Sequence, residues 1–140
     1  MIPARINLVT LACREVERMA QLFRDIGWRE TPASDAHHRT FQCSNGVVLA
    51  LYGSKNYESA FGPPTNGFRG FTLAINLGSF EECRAAYDAL RDVDGVELLE
   101  EPTEALWGGG FSWRDPEGNV WDVAWARDAE LDERGGVTFP

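Results

Sequence analysis

No run of apolar residues in this 140-residue chain approaches the roughly 18 that a membrane-spanning helix requires, so a membrane span is not expected. The N-terminus, Met1-Ile2-Pro3-Ala4-Arg5, lacks the basic and apolar regions of a signal peptide, and a cytoplasmic location is expected. Basic residues are scarce, 13 Lys and Arg against 22 Asp and Glu, for a net charge of −9. Nucleic acid and anionic membrane surfaces both need a basic footprint, so neither is an expected partner. The same charge would favour a cationic ligand, or would simply keep the protein soluble. Cysteine is limited to Cys13, Cys43 and Cys83, an odd number without CxxC spacing, which reads as buried free thiols. The two histidines, His37 and His38, are adjacent. In a strand they would point to opposite faces, so they read as loop or strand-edge residues.

What the chain does have is apolar material enough for a core, at 44% hydrophobic residues, and one domain of 140 residues is the default. Its pattern repeats once. Ile6 to Cys13 reads as a strand, and Val16, Met19, Ala20, Phe23 and Ile26 recur at helical spacing until Gly27 stops the helix. Three short strands follow, Trp28–Thr31, Arg39–Cys43 and Val47–Tyr52, the last two joined through Ser44-Asn45-Gly46. Residues 54–69 hold Gly62-Pro63-Pro64 and Asn66-Gly67, and read as an irregular connection between modules at about 5–53 and 70–127. In the second module Phe71–Leu77 is a strand, and Ser79-Phe80-Glu81-Glu82 is a capping box opening a helix with Phe80, Cys83, Tyr87 and Leu90 on one face. Val96–Leu99, Gly110–Trp113 and Asn119–Ala126 supply three more strands, and 128–140 is a tail. The fold class is α+β, two βαβββ modules.

The most informative stretch is Asp115-Pro116-Glu117-Gly118-Asn119, followed by Val120-Trp121-Asp122-Val123. Proline suits position i+1 of a type I turn, and Gly118 can take the left-handed conformation that closes such a hairpin with a bulge. From Asn119 the strand alternates, placing Val120, Asp122 and Ala124 on one face and Trp121, Val123 and Trp125 on the other. Trp121 and Trp125 read as core packed under the second helix, and Trp113 as core or pocket.

The repeat, this turn and the Trp107-Gly108-Gly109-Gly110 segment together resemble the vicinal oxygen chelate superfamily of glyoxalase I, bleomycin-resistance proteins and extradiol dioxygenases. The resemblance implies a curled mixed-sheet cup with helices outside and a ligand within, built from both modules of one chain or from modules of two. In metal-binding members four cup-facing His, Glu or Gln side chains hold a divalent cation. Carried over strand by strand, those positions fall on Leu8, Ala50, Thr72 and Asp122. Leucine and alanine have no donor atom, and threonine's hydroxyl is a poor ligand, so no metal and no other cofactor is expected. Sliding the first strand offers only Asn7 or Thr10, and the fifth only Asn76; neither repairs the set.

The candidate site is therefore a cup walled by small residues, with Thr10, Tyr52, Thr72, Asn76, Trp107 and Asp122 as ligand-binding residues. Trp107 is either a stacking lid in a mobile glycine loop or a hydrophobic plug. Tyr57 and Phe61 would stand near the mouth in the connection. Asp122 either meets the ligand or accepts hydrogen bonds from neighbouring strands. Two functions lead: metal-independent sequestration of a small cationic or aromatic molecule, as in bleomycin resistance, or a glyoxalase-like lyase or isomerase with Asp122 as catalytic acid or base, metal-dependent if the ligand register is shifted; an interaction domain with a vestigial cup is the third. A homodimer is expected from the family resemblance and from the liability of exposed edge strands.

Overall fold

A computed structural model describes residues 1–140, in which the chain divides after Pro64 into two units, each with its own sheet. The first unit contains β1 (Leu8–Cys13), α1 (Val16–Asp25), β2 (His38–Gln42), β3 (Val48–Gly53) and α2 (Ser54–Phe61). Its sheet runs β1-β3-β2, with β1 parallel and β2 antiparallel to β3. Cross-strand partners share a face, so Val9, Leu49 and Phe41 project to one side and Thr10, Ala50 and Thr40 to the other. The first of these faces meets α1, whose Met19, Ala20, Leu22 and Phe23 are buried and whose Phe23 ring lies 5.7 Å from that of Phe41. Gly27, at φ 90°, ends the helix as its position in the sequence predicts.

Two sequence expectations fail here. Trp28–Thr31 forms no strand; only a single bridge joins Glu30 to Phe41. Glu30 turns its carboxylate to Arg24 Nη1 at 2.6 Å and Arg39 Nη1 at 2.8 Å, and Glu17 meets the same two arginines. This four-member cluster joins the segment to α1 and β2, beside two backbone bonds to β2, Thr31 N to Thr40 O at 2.8 Å and Gln42 N to Arg29 O at 3.1 Å. The connection is also not irregular throughout, because Ser54–Phe61 is the helix α2, set against β1 and β3. The breakers begin only at Gly62, which caps it at φ 101°; Tyr57 and Phe61 are one helical turn apart, rings 5.1 Å from each other.

The second unit contains β4 (Thr72–Asn76), α3 (Phe80–Leu90), β5 (Glu97–Leu98), β6 (Thr103–Ala105), β7 (Gly108–Arg114), β8 (Val120–Ala126), β9 (Glu130–Leu131) and β10 (Val137–Thr138). Its main sheet runs β4-β8-β7-β5, with β4 parallel to β8 and β6 paired to β7. The mixed α+β architecture is as expected, and neither sheet closes into a barrel. Ser79 caps α3 by accepting from Glu82 N, while Glu82 reaches back to Gly78 N at 2.6 Å. One sheet face packs on α3: Cys83 and Leu90 are buried, and the Tyr87 ring meets Phe111 edge-on. Trp113 and Trp121 stack on that face with centroids 5.5 Å apart and are both buried. Residues 128–140, expected as a tail, form the β9–β10 hairpin.

The turn between β7 and β8 is built around a buried carboxylate. Asp115 is 4% exposed and accepts from the backbone of Glu117 and Asn119, from the Asn119 side chain, and from Trp121 Nε1 at 2.9 Å. Gly118 N donates to Asp115 O at 3.0 Å, closing the expected type I turn, and Gly118 has φ 86°. A Cβ there would lie 2.6 Å from Gly67 Cα, so the glycine serves both the conformation and the close approach of another loop.

Asp115→Ala should lower stability by about 2–4 kcal/mol, since it leaves several buried donors unpaired. Gly118→Ala should cost at least 1 kcal/mol by order of magnitude. Denaturant unfolding checks both; an Asp115→Ala midpoint equal to wild type would contradict the account. The cluster in the first unit makes a pH prediction. Burial alone would raise the Glu30 carboxyl, but hydrogen bonds from Arg39 and Arg24 outweigh it and hold the group below its ordinary 4.5. Its folded pKa is depressed, so its contribution is present above about pH 4.5 and lost as the pH falls through the folded value. Glu30→Gln should therefore reduce the thermal midpoint at pH 7 more than at pH 3.

Candidate functional site

The β7–β8 register places Asp122 opposite Ser112, and the β4–β8 register places it beside Ala74. These three form a row on the sheet face opposite α3. Ser112 Oγ donates to Asp122 Oδ1 at 3.2 Å, and no cationic side chain lies within ion-pair distance of the carboxylate. The neighbouring row is Asn76, Ala124 and Gly110, and the row on the other side is Thr72, Val120 and Arg114, whose guanidinium pairs with Glu97 at 3.0 Å. Thr72, Asn76 and Asp122 thus share one face, as the alternation predicts. Small side chains surround the acid, which is itself half-buried.

In the first unit, Thr10 and Tyr52 share the face opposite α1: Thr10 is registered with Ala50 and Thr40, and Tyr52 with Ala12 and His38. His38 opens the edge strand β2, and its ring lies 5.1 Å from that of Tyr52; His37 is exposed in the preceding turn. The two histidines are strand-edge and loop residues, as expected.

Trp107 stands at the tip of the β6–β7 hairpin, 60% exposed beside Leu106, which is 96% exposed. It plugs no core. Nor does a mobile glycine loop follow it, because Gly108, Gly109 and Gly110 are strand residues. A Cβ on Gly108 would lie 1.8 Å from Trp125 O, and one on Gly110 would lie 2.1 Å from Val123 O, so these glycines admit the neighbouring strand. Arg127 pins the tip, donating from its backbone to Trp107 O and from Nε to Leu106 O.

Trp125 also departs from expectation. It is half-buried rather than core, carries the Arg127 guanidinium 4.7 Å from its ring centroid, and lines a cavity of about 230 Å³ at the end of β4 and β8. Asn76 lines the same cavity, with Leu131 and Val137 from the terminal hairpin; Asp122 does not. Ser112 was missed as a site residue, although counting back from the Asp115 turn pairs it with Asp122. The hairpin residues were missed as lining residues, since Leu131 and Val137 are isolated apolar residues in a polar stretch.

The four positions where the resemblance would set a metal do not fit one. Leu8 and Ala50 offer no donor, Thr72 a neutral hydroxyl, and Asp122 a single carboxylate already engaged by Ser112. No three His, Cys, Asp or Glu side chains gather elsewhere in a way that could hold an ion. No helix is long and apolar enough to cross a membrane.

Two sheets of this order and a turn of this construction define a glyoxalase-like fold. The chain belongs to the Glyoxalase/Bleomycin resistance protein/Dioxygenase superfamily, which it matches over residues 5–123. Among solved structures it is similar to a glyoxalase-related enzyme from Fulvimarina pelagi, with 24% identity, a TM-score of 0.87 and coverage of 98% of this chain and 99% of that one. It is also similar to a glyoxalase/bleomycin resistance protein/dioxygenase family enzyme from Burkholderia phytofirmans PsJN (19% identity, TM-score 0.75, covering 88% and 99%). A lactoylglutathione lyase from Agrobacterium tumefaciens is similar at 14% identity and TM-score 0.70, covering 89% and 95%. At these identities the likeness establishes a shared fold. Among curated proteins none matches the chain.

Behind the Asp122 face, the Cys83 thiol is buried; burial pushes it up to about 11, with the Glu82 and Asp122 carboxylates adding to the shift. Cys13 is equally buried, whereas Cys43 is half-buried, against the expectation that all three thiols lie inside. Burial raises Cys43 as well. Native protein at pH 8 should therefore expose one slowly reacting thiol to a disulfide reagent, lost in Cys43→Ser, and all three only on unfolding.

Proposed function

We propose that this chain is a metal-independent member of its superfamily that binds a small cationic, aromatic molecule at the Asp122 face, in the manner of bleomycin-resistance sequestration. One observation carries the reading: Asp122 is half-buried among Ala74, Ala124 and Gly110, hydrogen-bonded to a neutral hydroxyl, and makes no ion pair, Arg114 of the next row being paired with Glu97. A partly desolvated carboxylate in that setting is completed by a positive ligand, and the small neighbours leave room for one. Thr72 would add a hydroxyl along the face, and Trp107 an exposed ring for stacking. Thr10 and Tyr52 lie in the first unit, on the face opposite α1, and offer a hydroxyl and a ring there.

A second reading, a glyoxalase-like lyase or isomerase using Asp122 as acid or base, has one observation in its favour. Ser112 fixes Oδ1 and leaves Oδ2 without a hydrogen bond, as a proton-transfer group requires. Against it stands the lack of a second titratable group in the rows adjacent to Asp122 other than the Arg114–Glu97 pair.

Benzyltrimethylammonium should quench tryptophan fluorescence saturably. Asp122→Asn should weaken that binding about tenfold or more, roughly 1.4 kcal/mol, with an unchanged thermal midpoint. Equal affinity in the variant would overturn the counter-ion role. Turnover of thioester or hydroxyketone substrates in chelator, abolished by the same substitution, would establish the enzymatic reading instead.

A further inference from the structure

On the sheet face that carries Asp122, one cationic side chain stands in the rows adjacent to it. Cross-strand partners share a face, so the row before Asp122 reads Thr72, Val120, Arg114 and Glu97 across β4, β8, β7 and β5. The row after it reads Asn76, Ala124, Gly110 and Thr103. Arg114 is thus the diagonal neighbour of Asp122 on the adjoining antiparallel strand. Diagonal positions in such a pair lie about 7–8 Å apart, a distance that long side chains span. Arg114 therefore faces two carboxylates, Glu97 directly opposite and Asp122 on the diagonal, and it takes Glu97, at 3.0 Å.

That choice decides what Asp122 has left. With Arg114 held toward β5, the acid is hydrogen-bonded to Ser112 and forms no ion pair. The hold is slight, because the Arg114 and Glu97 side chains are 39% and 63% exposed, and so solvated a pair contributes little. Asp122 is the more buried of the two acids, and a guanidinium released beside it would gain a carboxylate with no ion-pair partner of its own.

Resting on the cation-binding reading of this face, we infer that Glu97 is a positioning residue for the Asp122 site. By holding Arg114 across the β5–β7 pair it keeps the guanidinium off the carboxylate, and so reserves Asp122 for a cation from outside the chain. Glu97 touches no ligand; it acts through Arg114. Without Glu97 the arginine turns to the diagonal acid, and a ligand cation must displace it before it can bind.

The test uses the full chain with benzyltrimethylammonium as probe, followed by calorimetry, and a crystal structure of Glu97→Gln. Glu97→Gln should weaken binding about fivefold or more, and its structure should place the Arg114 guanidinium within about 4 Å of an Asp122 oxygen. Adding Arg114→Gln in that background should restore the wild-type affinity to within about twofold. Glu104→Gln removes the same charge from another exposed pair, that with Arg127, and leaves Arg114 held, so it should change the affinity by less than about twofold. Wild-type affinity in Glu97→Gln, a loss that the second substitution does not restore, or an equal loss in Glu104→Gln would overturn the assignment. Failure of the wild type itself to bind the probe would sink the cation-binding reading alone. The Glu97→Gln structure then decides the role of Glu97: a guanidinium on Asp122 supports it, and one that stays away overturns it.

Discussion

The carboxylate of Asp115 is the contact on which the second unit depends. It is almost fully buried, and an ionised group inside a protein is tolerated only where donors converge on it. Here they come from three residues of the following turn and strand, Glu117, Asn119 and Trp121. Because the last of these is an indole on β8, the acid also sets how the strand leaves the turn. Trp121 is placed to stack on Trp113, and the next residue must then face the other way. Asp122 is exposed to the opposite face, and paired with Ser112, as a consequence of how Asp115 is satisfied.

The two units reach stability by different means. In the first, a cluster of two glutamates and two arginines joins α1, β2 and the segment around Glu30, which pairs with β2 only as a short bridge. Such a cluster is sensitive to acid and to salt, since its worth rests on ionised partners near solvent. In the second, aromatic stacking under α3 dominates: Trp113, Trp121, Phe111 and Tyr87 form a continuous layer. That layer is what frees the other face of the sheet to be made of small residues. A sheet packed on one face can leave its second face less covered, and Ala74, Ala124 and Gly110 lie there around Asp122.

Glycine in β7 shows why composition misleads when taken alone. Three successive glycines after an aromatic residue suggest a flexible lid, yet in the folded chain they are where β8 comes too close for any side chain. The rigid hairpin that results holds Leu106 and Trp107 outward, and Arg127 binds that tip to the end of β8 beside Trp125. On the face opposite α3 the sheet then presents the Asp122 carboxylate among small side chains.

Much of this was legible in the order of the residues. Alternation along Asn119–Ala126 determined the facing of Asp122, and the Asp115-to-Asn119 spacing determined the turn, because these are local properties of chain geometry and of side-chain chemistry. What the sequence could not determine were features created by distant partners. Arg24 and Arg39 converge on Glu30 from α1 and β2; α2 formed in a segment whose breakers lie only at its end; Ser112 met Asp122 through pairing across the turn. Leu131 and Val137 have no periodicity to mark them, and only the folding back of the terminal hairpin over Asn76 and Trp125 made them walls of a cavity. A cavity is a relation between surfaces far apart in the chain, and tertiary structure alone decides where those surfaces meet.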